Sequence, residues 1–368
     1  MDLSTIDMNE VLHALRTAQL GRSRAGGPSV LLSAGCSGRW YFDWVADHFG
    51  PVDHHIGVEY YSPEPDDLPG NVTWIANTVG RMEAVDDASV DVVFSGQNIE
   101  HLWPADMVGF MLEANRVLRP GGRLIMDSPN RAVTQRLRWT HPEHIIELTP
   151  DEMTELAGAA GFEVDTLVGL WDCHDGGGPV AFAPADEAAM ARRALSGLDH
   201  PDTSFIWWAE AERTGPADVD RLTRAVDRIG RLAWHDRTQR LVPLTGELNA
   251  DETAIMVPAG TPGIMFFGPY VPLPAGRYRA RFEVTVLDRA GKPPAWCDVT
   301  AAGRELGRAA VHGGLVDLPQ LVEVPFELDE LTFGVEFRLT ADGTAGIDAA
   351  LGVELVTEGQ SPLAVPLS

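Results

Sequence analysis

The chain has 368 residues, enough for two compact cores, and its 45% hydrophobic and 22% charged residues are those of a globular protein rather than a disordered or fibrous one. A formal net charge of −26 repels phosphate backbones and anionic lipid surfaces, which argues against nucleic acid and membranes as partners and favours a neutral or cationic small molecule. Three widely spaced cysteines, Cys36, Cys173 and Cys297, fit neither a disulfide framework nor a metal cluster, and neither an export signal nor an apolar run of ~18 residues is legible, so a cytoplasmic setting is expected.

In chain order, Asp7 followed by Glu10 has capping-box spacing, and Val11, Leu12, Leu15 and Leu20 predict an amphipathic helix over 8–20. Short apolar runs then alternate with helical stretches: PSVLLSAG, HHIGVEY, VTWIAN, VDVVFSG and GRLIMDSP. Such alternation predicts an α/β fold with a parallel sheet covered on both faces. Residues 105–118 form the clearest helix, stopped by Pro120, Gly121 and Gly122, and helices are also expected over 151–160 and 186–197. GFEVDTLVGL and SFIWWAE read as the last strands of this sheet. A long amphipathic helix over 216–240, with Val219, Leu222, Val226, Ile229 and Leu232 along one stripe, marks the domain boundary. Beyond it come only short strands broken by Gly, Pro and Asp, as in a β-sandwich or jelly roll. The expected division is 1–212 for the α/β domain, 213–243 for a linking helix and 244–368 for the all-β domain.

The sharpest segment is VLLSAGCSGRW (30–40), a buried strand ending in a tight small-residue turn into a helix. Such a turn lets backbone approach a ligand closely and presents helix N-terminal N–H groups, which suits a nucleotide-like cofactor at the carboxyl end of a first strand. The second strand ends in Glu59, about 20 residues on, the spacing of a carboxylate for ribose hydroxyls.

With these residues, VDVVFSGQNIEHL followed by EANRVLRPGGRLIMDSPN, and then HPEHIIELTPDEMTELAGAAGFEV, residues 29–165 resemble the class I, seven-stranded S-adenosylmethionine-dependent methyltransferases acting on small molecules. The resemblance implies a doubly wound, mostly parallel seven-stranded sheet and S-adenosylmethionine as cofactor. It implies that Ala34, Gly35, Cys36 and Gly38 line the methionine part of the cofactor, that Glu59 binds the ribose, that Arg81 and Met82 sit by the adenine, and that Gln97 closes the site. Ser33, where the family usually has an acid, Ser37 and Arg39, where it has glycines, and Val79, where an acid often meets the adenine amine, depart from the pattern.

Methyl transfer to a hydroxyl needs the acceptor held in line and a group to take its proton. His101, just after the fourth strand, and His144 are the candidate bases, with His141 on the substrate side and Glu100 and Asn130 as polar support. Trp40, Trp103, Trp139 and Trp171 lie near the same edge and either wall an acceptor pocket or pack in the core; Trp207 and Trp208 are expected in the core. No compact carboxylate cluster is legible, and no metal is expected. FFGPYVPLPAGRYRARFEV is loosely similar to β-sandwich modules accompanying glycan-active enzymes, which inclines the acceptor toward a sugar and leaves a dimerising or structural role for that domain equally open. A phenol, carboxylate or amine acceptor, and a cofactor- or glycan-binding protein without catalysis, are the rival readings.

Overall fold

The computed structural model describes residues 7–23, 29–184, 186–357 and 363. Contacts gather them into two compact units, one holding the described residues up to Leu137 together with Ile146–Gly230, the other holding Arg138–Ile145 together with those from Arg231 onward. No helix among the described residues is long and apolar enough to cross a membrane.

The first unit is built on seven strands: β1 (Val30–Ala34), β2 (His54–Glu59), β3 (Val72–Ala76), β4 (Val90–Gly96), β5 (Leu118–Pro129), β6 (Phe162–Asp172) and β7 (Ser204–Arg213). Their order across the sheet is β3-β2-β1-β4-β5-β7-β6. The first five pair in parallel, and β7 lies antiparallel between β5 and β6. Parallel strands need crossover helices, and these cover both faces, so Leu31, Leu32, Val92 and Val93 on adjacent strands are all buried. This is the doubly wound class I methyltransferase sheet that the sequence implies.

The helices preceding and joining these strands are α1 (Met8–Arg22), α2 (Arg39–His48), α3 (Pro104–Val117), α4 (Arg131–Arg136), α5 (Pro150–Ala159), α6 (Glu187–Gly197) and α7 (Val219–Thr238). Asp7 caps α1 by accepting from Asn9 N at 2.8 Å, and Thr149 with Glu152 forms a complete capping box on α5 behind Pro150. The buried face of α1 is Leu12, Arg16, Gln19 and Leu20, so a guanidinium occupies the middle of a stripe read as apolar. α3 stops at Val117, and Pro120, Gly121 and Gly122 lie inside β5, where the register with β4 shifts between Val90 and Val92 and Gly121 has φ +76°. α7 forms as expected, with Leu222, Val226 and Ile229 buried but Val219 and Leu232 exposed; the unit boundary falls within it, after Gly230.

The second unit is all β. One antiparallel sheet runs 242–243, 263–267, 332–341, 295–301 and 304–310, with 269–273 also on 332–341; the other runs 247–248, 254–257, 347–350, 276–286 and 319–328, with 354–357 also on 276–286. Phe266, Val299 and Phe337 of the first and Phe282, Val324 and Ile347 of the second belong to one buried cluster, which makes a β-sandwich. Strand breaks fall at Gly268, between 263–267 and 269–273, and around Gly352, between 347–350 and 354–357, and the strands Ala295–Ala301 and Arg304–Ala310 were not foreseen.

Candidate active site

Because β1, β2, β4 and β5 are parallel, their carboxyl ends share one edge of the first unit. At the end of β1, Gly35 has φ +78° and donates its N–H to Val58 O at 2.9 Å, while a Cβ on it would lie 2.4 Å from Asn98 Oδ1. Only glycine allows this approach of the β1 and β4 loops. Gly38, φ +144°, caps α2 and receives the Tyr41 N–H at 3.1 Å. Ala34 and Cys36 are buried, and the Cys36 sulfur packs on Gly57, where a Cβ would come within 2.6 Å of it. Burial, then the nearby Glu59 charge, push the Cys36 thiol well up, so this residue offers the site its backbone rather than a thiolate.

Glu59 ends β2 with only 8% of its surface exposed. Its Oε1 accepts from Tyr61 N at 2.8 Å and Ser62 N at 3.0 Å, which fixes the carboxylate and leaves Oε2 out of both bonds. Ser33, in the place of the family's acid, is fully buried and bonds His55 Nε2 at 2.8 Å inside the sheet. In the loop after β3, Met82 is fully buried, its N–H bonded to Glu113 Oε2 at 2.7 Å and its carbonyl to Arg116 at 2.8 Å, whereas Arg81 is exposed. Met82 thus anchors this loop to α3. Val79 is buried beside it, and Thr78 Oγ1 donates to Asp106 Oδ1 of α3 at 3.3 Å. Burial raises the Asp106 carboxyl above the usual range, against the opposing Thr78 bond and Arg81 charge.

At the end of β4, Gln97 takes φ +53°, donates its N–H to Asp127 O at 2.9 Å and its amide to Asp127 Oδ2 at 2.8 Å. Asp127 also receives Arg16 Nε at 2.6 Å and Nη2 at 3.2 Å, and the guanidinium lies 5.3 Å from the Trp44 ring. Ile99–His101 is one 3₁₀ turn. His101 is half-buried and its N–H bonds Asn98 O at 3.0 Å. Glu100 beside it is fully buried; that burial pushes its carboxyl up to about 8, with the Asp127 and Glu147 charges adding to the effect. Its own backbone N–H and the Ser128 hydroxyl temper the shift without reaching hydrogen-bond geometry.

The remaining predicted residues divide. Asn130 is fully buried and spends its amide on the fold: Nδ2 bonds the carbonyls of Pro201, Asp202 and Ser204 at 3.0–3.1 Å, and Oδ1 accepts from Ala132 N at 3.0 Å. Trp103 is buried at the start of α3, and Trp40, on α2, is 52% exposed. Trp171, Trp207 and Trp208 are fully buried, the first with Arg193 over its ring at 4.5 Å. Trp139, His141 and His144 form one ring cluster, His141 to His144 at 4.5 Å and Trp139 to His144 at 5.6 Å. They sit in the short segment that packs with the second unit, where Arg240 donates to Trp139 O at 3.1 Å and Arg237 to His141 O. Arg16, Asp106 and Asp127 were not anticipated; a lone arginine amid an apolar helical stripe was the one readable sign of the first.

A parallel sheet in this order, with a glycine turn after β1 and a held carboxylate at the end of β2, defines a nucleoside-cofactor enzyme of the doubly wound class. Residues 32–126 match the profile of a methyltransferase domain family. A Mycolicibacterium smegmatis protein described as a probable S-adenosylmethionine-dependent methyltransferase is 36% identical over 223 residues, 55% of this chain and 83% of that one. A Mycobacterium tuberculosis protein of the same description is 46% identical over 152 residues, and the chain spans 51% of its length. A putative S-adenosylmethionine-dependent methyltransferase from Listeria monocytogenes matches over 56% of this chain and all of its own, at 13% identity and a TM-score of 0.40. The chain belongs to the S-adenosylmethionine-dependent methyltransferases. S-adenosylmethionine is its cofactor, and the glycine-only approach at Gly35 together with the uncommitted Glu59 Oε2 suits a ribose-bearing ligand at this edge.

Proposed function

We propose that the chain methylates a hydroxyl oxygen of a small, neutral acceptor in the cytoplasm, with a sugar hydroxyl as the favoured class. The observation that carries the reading is the shared strand edge: a glycine turn at Gly35, a fixed carboxylate at Glu59 and a half-buried imidazole at His101. When bound, the cofactor supplies a methyl group on a cationic sulfur, open to displacement by a nucleophile in line with it. Gly35 and Gly38 give the backbone room to approach, Glu59 takes the ribose hydroxyls, and Gln97, anchored on Asp127, closes the site. His101 takes the proton of the attacking hydroxyl, a task suited to a group that titrates near neutrality. His144 is the alternative base.

The net charge of −26 and the acids Asp127 and Glu147 near the β4–β5 edge favour an uncharged acceptor over an anionic one. The preference for a sugar draws on the β-sandwich that follows, and the cytoplasmic setting on three buried, unpaired cysteines. The test is release of S-adenosylhomocysteine over a panel of sugars, phenols, carboxylates and amines, with His101→Ala alongside. His101→Ala should lower kcat at least about a hundredfold with cofactor affinity and Tm unchanged. Turnover confined to phenols or carboxylates would sink the sugar class, and cofactor binding without turnover on any acceptor would sink the catalytic reading altogether.

A further inference from the structure

Buried acids in this protein have partners. Among the described residues, Glu59 is held by two backbone N–H groups, Asp127 by Arg16 and Gln97, Glu147 by Thr134, Asp172 by Ser196 and Thr203, Glu210 by Arg123, and Asp298 by Arg338. Glu100 is buried completely, yet neither carboxyl oxygen has a hydrogen-bond partner, and Ser128 Oγ next to it is likewise buried and unpartnered. Arg16, which feels the Glu100 charge, is committed to Asp127, and a ring nitrogen of His101 lies within 4.8 Å of a Glu100 carboxyl oxygen without bonding it. A carboxyl so placed costs stability, and such a cost is normally retained where a ligand completes the bonding.

Both residues stand at the carboxyl edge already described, Glu100 in the turn after β4 and Ser128 near the end of β5, the strand paired with β4. With the carboxyl fully buried and the Asp127 and Glu147 charges adding to that burial, the neutral acid is the form this environment favours. A neutral carboxyl both donates and accepts, as does a serine hydroxyl; the pair matches a hydroxyl group, which also does both.

We infer that Glu100 and Ser128 determine acceptor specificity, their buried polar atoms bonding a second hydroxyl of the acceptor adjacent to the one that is methylated. The substrate class is therefore a neutral vicinal diol. This rests on the hydroxyl-methylating reading above and sharpens it.

The test compares wild type with Glu100→Leu and Glu100→Gln in the full chain, using methyl hexopyranosides and their monodeoxy counterparts as acceptors. Glu100→Leu should raise Tm by about 2–4 °C, because an unpartnered buried polar group is removed. It should also lower kcat/KM at least about thirtyfold, mainly through KM. Glu100→Gln, whose amide donates and accepts like the neutral acid, should recover activity to within about tenfold of wild type. Deleting the neighbouring hydroxyl from the acceptor should cost wild type at least about tenfold and Glu100→Leu nothing further. Glu100→Gln as inactive as Glu100→Leu would overturn the inference, since Glu100 would then be the proton acceptor. A lowered Tm in Glu100→Leu would overturn it too, by making Glu100 a structural residue. If no hexopyranoside is turned over by wild type, the sugar reading fails by itself, and the direction of the Tm change still decides whether Glu100 is held for a ligand.

Discussion

Replacing Glu59 by alanine tests the cofactor-binding role we propose for this carboxylate beside the structural one it has. Oε1 holds the turn after β2 through the N–H groups of Tyr61 and Ser62, at 2.8 and 3.0 Å, and Oε2 is the atom available to a ribose hydroxyl. A hydrogen bond to a charged group contributes roughly 1.5–3 kcal/mol, and with Glu59 8% exposed there is little solvent screening to discount. Loss of one such bond to the ribose weakens binding about 10- to 100-fold, each 1.4 kcal/mol being a factor of about ten. Loosening of the Tyr61–Ser62 turn adds to this. Glu59→Gln keeps a carbonyl for the two backbone donors and turns an amide toward the ribose, so it should fall between wild type and alanine. Calorimetric titration with S-adenosylhomocysteine reads both variants directly, and a 2′,3′-dideoxyribose analogue supplies the cycle: it should bind wild type and Glu59→Ala almost equally. Unchanged S-adenosylhomocysteine affinity in a folded Glu59→Ala protein would remove the cofactor from this edge of β2.

Three further outcomes are expected. Gly35→Ala forces a Cβ to within 2.4 Å of Asn98 Oδ1 at φ +78°, a strain of about 1–3 kcal/mol, so Tm and cofactor affinity should fall together; a variant with both intact would show that the β1–β4 loop approach is slack. Burial, aided by the His54 charge, depresses His55 from its ordinary 6.5 to about 4, so the folded state resists protonation. Stability should therefore be complete above pH 6.5, decline as pH falls from there toward 4, and lose about 3 kcal/mol in all at 1.36 kcal/mol per pH unit, a slope that His55→Gln should flatten in Tm-against-pH measurements. The sandwich core draws its buried residues from Leu241 onward, and we propose that it unfolds separately from the sheet of β1 to β7; calorimetry resolving one indivisible transition would contradict this.

What was legible in the sequence follows from the range of the forces involved. The strand runs, the small-residue turn at Ala34–Gly38 and the acid at Glu59 are local or near-local patterns, and the first four strands formed within about two residues of their expected bounds, whereas Leu118–Pro129 begins four residues and Ser204–Arg213 ends three residues beyond the runs that announced them. The strand Ala295–Ala301 sets Ala295, Cys297 and Val299 into the sandwich core, but Asp298 and Thr300 between them are buried as well and the core-facing side chains are small, so no hydrophobic alternation is legible. Its neighbour Arg304–Ala310 is an edge strand without β-branched residues, so neither propensity nor periodicity marks it.

The site was less legible for a different reason. Its charges are settled by partners far along the chain: Arg16 meets Asp127 across 111 residues, and Glu100 is left buried with no hydrogen-bond partner. Spacing identifies His101 and Glu100 as equal neighbours on one turn, whereas burial makes them chemically unlike, one half-exposed, the other enclosed and favouring its neutral form. Asn130 is the converse case, a polar residue at the right edge whose four hydrogen bonds are all consumed by the chain itself. A polar side chain near the cofactor edge is thus informative for function in proportion to the bonding capacity the fold leaves unused, and by that measure Glu100 and Ser128 weigh more than Asn130 or Met82.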